Sequence, residues 1–84
     1  MRRFILFIKE ECSFCEEAAN KLASLNHSYE EINLSDKPKS LSMIKNLYGW
    51  DTVPIILEYV SKEKQEFVGG YSDLEKYLEE DKND

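Results

Sequence analysis

The chain has 84 residues, of which 42% are hydrophobic and 33% are charged, and its formal net charge is −6 at pH 7. This length supports one hydrophobic core, which predicts a single domain over residues 1–84. The acidic balance disfavours nucleic acids and anionic membranes as partners, because both require clustered lysine and arginine. Two cysteines are too few for a small secreted disulfide scaffold, and no membrane span or signal-peptide core is recognisable, so we expect a cytoplasmic protein.

The first half of the chain predicts a strand, a helix and a second strand. Residues 3–8 form an apolar, β-branched and aromatic run that is typical of a strand buried on both faces. A helical pattern follows to roughly residue 26, and the spacing of Ser13 and Glu16 predicts a capping box with Ser13 as its N-cap. The second strand is predicted at residues 29–34.

Cys12 and Cys15 lie at the junction between the first strand and the first helix, with two residues between them. A disulfide at this spacing closes a very small loop and is a poor structural staple, because it removes little unfolded-state entropy. The unpaired N–H groups and positive dipole end of the helix favour a thiolate on the first cysteine, and the thiolate is the attacking species in disulfide exchange. The pair therefore predicts a redox-active dithiol, with Cys12 as the nucleophile and Cys15 as the less exposed resolving thiol.

The second half of the chain predicts a helix and then a hairpin. Pro38 suits the first turn of the helix, and Gly49 is a natural stop. The apolar face of this helix is expected to consist of Leu41, Ile44, Leu47 and Tyr48. Residues 55–60 and 66–68 are predicted strands, and the polar residues 61–65 between them indicate a hairpin turn.

A third helix is predicted after the break at Gly69 and Gly70. Ser72 and Glu75 repeat the capping-box spacing, which predicts Ser72 as the N-cap, and we expect the acidic residues 80–84 to form a frayed tail. The side chains of this third helix that are expected to face inward are Leu74, Tyr77 and Leu78. Together the elements give a βαβ unit, a helix and a ββα unit, which can join into one sheet with helices on both faces.

Three motifs resemble the glutaredoxin branch of the thioredoxin superfamily, in its dithiol form. They are Lys9-x-x-Cys12-x-x-Cys15, Thr52-Val53-Pro54 and Gly69-Gly70-Tyr71-Ser72-Asp73-Leu74. They occur in the family's order, each at the boundary of a predicted element, and span nearly the whole chain. The resemblance implies an α/β thioredoxin fold in three layers, with a four-stranded mixed sheet of order 4-3-1-2, strand 3 antiparallel to the others, and three flanking helices.

The resemblance also implies a glutathione site beside the dithiol. The residues expected to bind glutathione are Lys9, Phe14, Thr52, Val53, Pro54, Gly70, Tyr71, Ser72 and Asp73. In this interpretation the bond before Pro54 is cis, the backbone of Val53 pairs with an extended substrate, and Asp73 receives the ammonium group of the γ-glutamyl end. The start of the third helix offers N–H groups to the γ-glutamyl carboxylate.

The sequence departs from the family pattern at three positions near the dithiol. Ser13 replaces a common proline, Phe14 replaces a tyrosine, and Asp51 stands where a basic residue often binds the glycine carboxylate of glutathione. Asp51 therefore predicts weaker or differently posed glutathione. Glu10 and Glu11 would oppose a thiolate on Cys12 unless they face solvent, where their charge is screened.

The function implied is glutathione-dependent reduction of protein disulfides and glutathione mixed disulfides by a monomer, with ribonucleotide reductase as an expected client. Ser13 motivates one alternative, a glutathione-ligated [2Fe–2S] cluster that bridges two chains through Cys12. Asp51 motivates another, a thioredoxin-like reductant served by a flavoprotein reductase. No resident metal is otherwise expected, because two cysteines and the distant His27 do not make four zinc ligands.

The remaining aromatic residues predict packing rather than chemistry. Trp50, directly after the Gly49 stop, is expected to pack or to lie at the rim of the site. Four tyrosines are expected in the core or half-buried, namely Tyr29, Tyr48, Tyr59 and Tyr77.

Overall fold

The computed structural model describes residues 2–82. Its elements follow the order βαβαββα. The strands are β1 (Arg3–Ile8), β2 (Ser28–Asn33), β3 (Ile55–Ser61) and β4 (Lys64–Gly69). The helices are α1 (Ser13–Ser24), α2 (Pro38–Tyr48) and α3 (Tyr71–Lys82). This arrangement confirms the predicted α/β fold with three helices around one sheet.

The four strands form one mixed sheet in the order β2-β1-β3-β4, which is the predicted order read from the opposite edge. β1 is parallel to β2, whereas β3 is antiparallel to both β1 and β4. Phe7 near the end of β1 pairs with Ile55 at the start of β3. The segment that leaves β1 and the segment that enters β3 therefore meet at the same edge of the sheet.

The hydrophobic core lies between the sheet and the helices α1 and α3. Its buried side chains are Phe4, Leu6, Ala18, Ala19, Leu22, Ile56, Leu74 and Leu78. The prediction that β1 is buried on both faces is correct for only one of them. Phe4 and Leu6 are 1% and 0% exposed, whereas Ile5 and Phe7, on the opposite face, are only half-buried.

Helix α2 lies on that opposite face and covers it incompletely. Pro38 occupies its first turn and Gly49 ends it with a left-handed φ of 61°, both as predicted. None of its residues is fully buried, and Leu47, predicted to face inward, is 71% exposed. The helix is anchored at its end, where the ring of Tyr48 stacks on Phe67 of β4 at 5.1 Å between centroids.

Both capping-box predictions are wrong. Ser13 is the first residue of α1, and the sulfur of Cys12 caps that helix in its place. Ser72 is the second residue of α3, whose start is held by Asp73 instead, because its carboxylate accepts the N–H of Gly70 at 3.0 Å. In both cases a neighbouring side chain reaches the free N–H groups better than the serine hydroxyl.

Smaller differences concern element ends and one tyrosine. α1 ends at Ser24 rather than near residue 26, because the chain turns through Asn26 at a φ of 60°. β2 is shifted by one residue from the prediction, and β4 is longer than predicted, since the hairpin turn shrinks to two residues. Tyr29 is 37% exposed, so the expectation of burial is wrong for this residue.

Helix α3 continues through Lys82, so residues 80–82 are helical. Residues 83 and 84 lie outside the described residues, and for them the predicted tail stays a prediction. None of the helices in residues 2–82 combines the length and the apolar character needed to span a membrane.

A partly buried polar cluster ties the N-terminal segment to β3 and α3. Arg2 Nε and Nη2 each donate to a different carboxylate oxygen of Glu58 at 2.7 Å, and the Tyr77 hydroxyl donates to Glu58 Oε1 at 2.5 Å. The hydrogen bond from Arg2 lowers the pKa of Glu58 from its ordinary 4.5, against the opposing effect of burial. Burial and the bond to Glu58 raise the pKa of Tyr77 to about 12.

We expect Glu58→Gln to lower the free energy of unfolding by about 2 kcal/mol near neutral pH, because it removes charge-assisted hydrogen bonds. Because the folded-state pKa of Glu58 is lowered, its charged form stabilises the fold above pH 4.5. This stabilisation is lost as the pH falls through the folded-state pKa. The difference between the variant and the wild type should therefore narrow in urea denaturation below pH 4.5.

Glu63→Gln is the matched control, because Glu63 is exposed in the hairpin turn between β3 and β4. It should change stability by less than about 0.5 kcal/mol. Equal losses in the two variants would contradict a special role of the Glu58 cluster.

Candidate active site

Cys12 and Cys15 form a disulfide at the start of α1, with their Cα atoms 5.3 Å apart. Cys12 is half-buried and Cys15 is 2% exposed, which confirms the predicted difference in access. The N–H of Cys15 donates to Cys12 Sγ at 3.2 Å, so the sulfur of Cys12 is the N-cap of the helix. In the reduced protein an anionic sulfur at this position would face free N–H groups and the positive end of the helix dipole.

The segment that leads into Cys12 is sharply turned. Glu11 has a φ of 54°, which non-glycine residues seldom adopt and which recurs at functional sites. The N–H of Glu10 donates to Ser35 Oγ at 2.7 Å, which fixes this turn to the segment after β2. Glu10 and Glu11 are both exposed, so their charges face solvent, and salt screens their effect on Cys12 to an extent set by the ionic strength.

The second predicted motif lies beside the disulfide. The bond between Val53 and Pro54 is cis, as the family resemblance implied, and Pro54 is fully buried. The carbonyl oxygen of Val53 lies 3.8 Å from Cys12 Sγ. A substrate sulfur that reacts with Cys12 would therefore arrive next to the backbone of Val53.

The third motif forms the start of α3. Gly69 has a φ of 120°, and a Cβ built at this position would lie 2.8 Å from Asp73 Oδ2. The carboxylate of Asp73 accepts the N–H of Gly70, and the N–H of Leu74 donates to the carbonyl of Gly70 at 2.9 Å. A carboxylate can accept further hydrogen bonds, so this contact is compatible with the ammonium-binding role expected for Asp73.

An aromatic stack joins the first and third motifs. Phe14 of α1 is 57% exposed, and its ring stacks on Tyr71 of α3 at 6.2 Å with an interplanar angle of 26°. The Tyr71 hydroxyl donates to a carboxylate oxygen of Glu75 at 3.3 Å. Partial burial, followed by the neighbouring Glu75 charge, raises the pKa of Tyr71, so its hydroxyl stays protonated and acts as a donor.

Trp50 packs against β4 and against the third motif, and the sequence indicated only that it would pack or lie at the rim. Its ring packs edge-on against the ring of Phe67, with 5.5 Å between the ring centroids. A Cβ built at Gly70 would lie 3.6 Å from Trp50 Cζ2, so the indole lies against the Gly69–Gly70 turn. Its Nε1 is buried and has no hydrogen-bond partner among residues 2–82.

The structure brings most of the predicted site residues together, in two groups. Cys12 and Cys15 form the disulfide beside Val53 and the following Pro54, and Phe14, Gly70, Tyr71 and Asp73 form the adjoining wall. Lys9, Thr52 and Ser72 are exposed at the surface. In the part of the chain that the structure describes, no group of three or more histidine, cysteine, aspartate or glutamate residues could hold a metal ion.

The family model described as glutaredoxin matches residues 4–58, which is more than half of the chain and includes both cysteines and Pro54. The chain belongs to the glutaredoxin family. Glutaredoxins are thiol-disulfide oxidoreductases, and this chain is therefore assigned to that class of enzyme. Gly69 to Asp73 lie beyond the matched residues, so the family match does not test the third motif.

Two curated relatives are each 31% identical to this glutaredoxin. The probable glutaredoxin of Acanthamoeba polyphaga mimivirus aligns over 87 residues, with 90% of this chain and 77% of the relative covered. The N-acetyl-S-hydroxy-L-cysteine reductase of Bacillus subtilis (strain 168) aligns over 52 residues, with 62% of this chain covered. The matched segment spans 56% of the length of the Bacillus relative.

Solved structures support the fold. The buckwheat glutaredoxin–glutathione complex superposes with a TM-score of 0.76 at 22% identity, over 93% of this chain and 70% of that chain. Glutaredoxin 1 of Francisella tularensis, complexed with cacodylate, gives a TM-score of 0.74 at 17% identity and covers 100% of both chains. At these identities the likeness establishes the thioredoxin-like fold and nothing further.

We expect Gly69→Ala to destabilise the glutaredoxin by more than Gly49→Ala. Both glycines have positive φ, but a Cβ at Gly49 meets no atom within 4 Å, whereas one at Gly69 collides with Asp73. Gly49→Ala should cost about 1 kcal/mol, the ordinary penalty for a side chain in the left-handed region. Urea denaturation of the two variants measures the difference.

The double variant Gly69→Ala, Asp73→Ala removes the carboxylate part of the collision and keeps the backbone penalty, while the Cβ of residue 73 would stay 2.9 Å from the new Cβ. Removing the carboxylate should recover part of the loss, which a double-mutant cycle reports as a coupling between the two sites. Strict additivity would contradict the contact between Gly69 and Asp73.

Proposed function

We propose that this glutaredoxin is a glutathione-dependent oxidoreductase that reduces protein disulfides and glutathione mixed disulfides. The observation that carries the proposal is the distance of 3.8 Å between Cys12 Sγ and the carbonyl oxygen of Val53, which precedes a cis proline. An extended segment that pairs with Val53 would present its sulfur to Cys12 without further rearrangement.

The reaction proceeds by two thiol–disulfide exchanges on the reduced enzyme. The Cys12 thiolate attacks one sulfur of the substrate disulfide, forms a mixed disulfide and expels the other sulfur as a thiolate, which takes up a proton. The Cys15 thiolate, or a glutathione thiolate, then attacks that mixed disulfide. Attack by Cys15 gives the Cys12–Cys15 disulfide seen in this structure, and two glutathione molecules reduce it while being oxidised to glutathione disulfide.

The wall beside Cys12 supports glutathione as the bound partner. Gly70, Tyr71 and Ser72 lie at the start of α3, where backbone N–H groups can bind the γ-glutamyl carboxylate. Asp73, half-buried at the same place, can accept the ammonium group. The similar buckwheat protein was solved as a complex with glutathione. The exposed Asp51 opposes binding of the glycine carboxylate, and the exposed Lys9 is the cation that can offset it.

We expect Cys12→Ser to abolish turnover of a glutathione mixed disulfide, because it removes the sulfur that forms the covalent intermediate. Cys15→Ser should retain most of this activity, since glutathione can resolve the intermediate on Cys12. The same Cys15→Ser variant should lose most of its activity on a protein disulfide, for which the second thiol is needed. The measurement is NADPH consumption coupled through glutathione reductase.

Comparable turnover of the mixed disulfide by the wild type and Cys12→Ser would overturn the proposal. Full activity on both substrates with a flavoprotein thioredoxin reductase, and none with glutathione, would favour the thioredoxin-like alternative that Asp51 motivates.

The Bacillus relative favours a second candidate, the reduction of a small sulfenic acid. That relative is named for an S-hydroxy derivative of N-acetylcysteine, and its match covers 62% of this chain. The chemistry suits the same dithiol: the Cys12 thiolate attacks the sulfenic sulfur, the leaving hydroxide is protonated to water, and Cys15 displaces the product thiol. The balance is one sulfenic acid and one dithiol giving one thiol, one protein disulfide and water.

We expect the reduced enzyme to consume a low-mass cysteine sulfenic acid with formation of one Cys12–Cys15 disulfide for each thiol released. Quenching with a neutral alkylating agent and mass spectrometry would count both products. Cys15→Ser should stop at the mixed disulfide in this reaction. Loss of the sulfenic acid without any protein disulfide would rule this candidate out.

Other expectations remain proposals. The iron–sulfur alternative fits the residues only as a cluster shared between two copies, because Cys12 is the more accessible sulfur and Cys15 is 2% exposed. A brown dimer after anaerobic preparation with iron and glutathione would support it. Cytoplasmic location, a monomeric state and ribonucleotide reductase as a client are likewise predictions from the sequence.

A further inference from the structure

Four acidic residues lie close to Cys12 along the chain or in the segment that leads to Val53, and we define them as the acidic rim: Glu10, Glu11, Glu16 and Asp51. All four side chains are exposed. Glu11 directly precedes Cys12, and Glu16 lies in the first turn of α1, where its N–H donates to the carbonyl of Cys12 at 3.3 Å. Glu11 and Glu16 are therefore near neighbours of Cys12 along the backbone.

Asp51 belongs to the rim through the segment that leads into β3. It lies two residues before Val53, whose carbonyl oxygen is 3.8 Å from Cys12 Sγ, and two residues span at most about 7 Å. Lys9 is the nearest cation to Cys12 along the chain and is also exposed. On the α3 side, the negative charges of Glu75 and Glu17 act on the Tyr71 hydroxyl.

We propose that the acidic rim makes this dithiol selective for disulfides carried on cationic groups, and slow toward anionic disulfides. The inference rests on the proposed function and specifies its substrate class. The formal charge of the four rim residues and Lys9 together is −3 at neutral pH. A substrate must bring its disulfide to Cys12 through the field of these charges.

The effect acts on the rate of encounter and on the transition state of the first exchange. Exposed charges at roughly 8 Å interact weakly one by one in water, but several of one sign around one atom add up. At low ionic strength the rate constant for a dicationic disulfide should exceed that for a dianionic one by at least about tenfold, after correction for intrinsic reactivity. Salt should remove most of the difference, because all of the rim charges are exposed.

The test uses three small symmetrical disulfides: cystamine as the dication, bis(2-hydroxyethyl) disulfide as the neutral probe, and 3,3′-dithiodipropionate as the dianion. Each reacts once with the reduced enzyme, and the products are one protein disulfide and two small thiols. Quenching with neutral iodoacetamide and mass spectrometry gives the second-order rate constant. Measurements at about 0.01 M and about 1 M ionic strength compare Debye lengths of about 30 Å and about 3 Å.

The informative quantity is the ratio of the cystamine rate constant to the dithiodipropionate rate constant, compared between variants. Any change in the reactivity of Cys12 itself affects both substrates and cancels in this ratio. Glu11→Gln with Asp51→Asn should lower the ratio at least about threefold at low salt. The matched control, Glu63→Gln with Glu79→Gln, removes the same charge from the hairpin turn and from α3, and it should leave the ratio unchanged.

The outcomes separate the inference from the proposed function. If the neutral disulfide oxidises the wild type and Cys12→Ser at equal rates, the proposed function fails. It also fails if the neutral disulfide oxidises neither protein. If the wild type reacts through Cys12 but the ratio is independent of salt, or the rim variant and the control variant change it equally, the selectivity fails while the oxidoreductase assignment stands. A ratio that falls with salt and falls in the rim variant alone supports the inference.

Discussion

The antiparallel pairing of β1 with β3 is the constraint on which the site depends. Because Phe7 pairs with Ile55, the end of β1 and the start of β3 are fixed at one edge of the sheet. Cys12 follows the first of these strands by a few residues, and Pro54 directly precedes the second. The sulfur and the backbone of Val53 are therefore 3.8 Å apart although they are separated by 41 residues in sequence. Disruption of this register would move the two halves of the site independently.

The wall of the site formed by Phe14, Gly70, Tyr71 and Asp73 depends on contacts that are less extensive than a strand pair. The Asp73 carboxylate accepts the N–H of Gly70, the Phe14 ring stacks on Tyr71, and the Trp50 indole packs against the turn at Gly70. The first contact lies within the start of α3, and the other two join that start to α1 and to the segment before β3, so the wall is positioned largely by side chains. It is here that this chain can differ from its relatives without a change of fold.

The parts of the structure that could be predicted from the sequence are those fixed by local pattern or by a complete motif. The bounds of β1 follow from its apolar run, and the cis bond before Pro54 follows from the family resemblance. The cap of α1 could not be predicted, because Cys12 and Ser13 compete for the same N–H groups and only the backbone geometry decides between them. The exposure of Leu47 depends on how much of the sheet α2 covers, which helical periodicity does not determine.

Charge explains how a common fold can serve a particular set of clients. In the proposed function the backbone of Val53 would pair with any extended segment, and the start of α3 would offer its N–H groups to any carboxylate, so neither feature would distinguish one disulfide from another. The exposed charges of the acidic rim would distinguish them, because charges act at a distance without altering the geometry of the reaction. Under the inferred selectivity, free glutathione would approach Cys12 against the charges of the exposed Asp51 and Glu11. A disulfide displayed on a basic protein surface would be attracted by the same charges, and its encounter with Cys12 would be favoured before any contact is made.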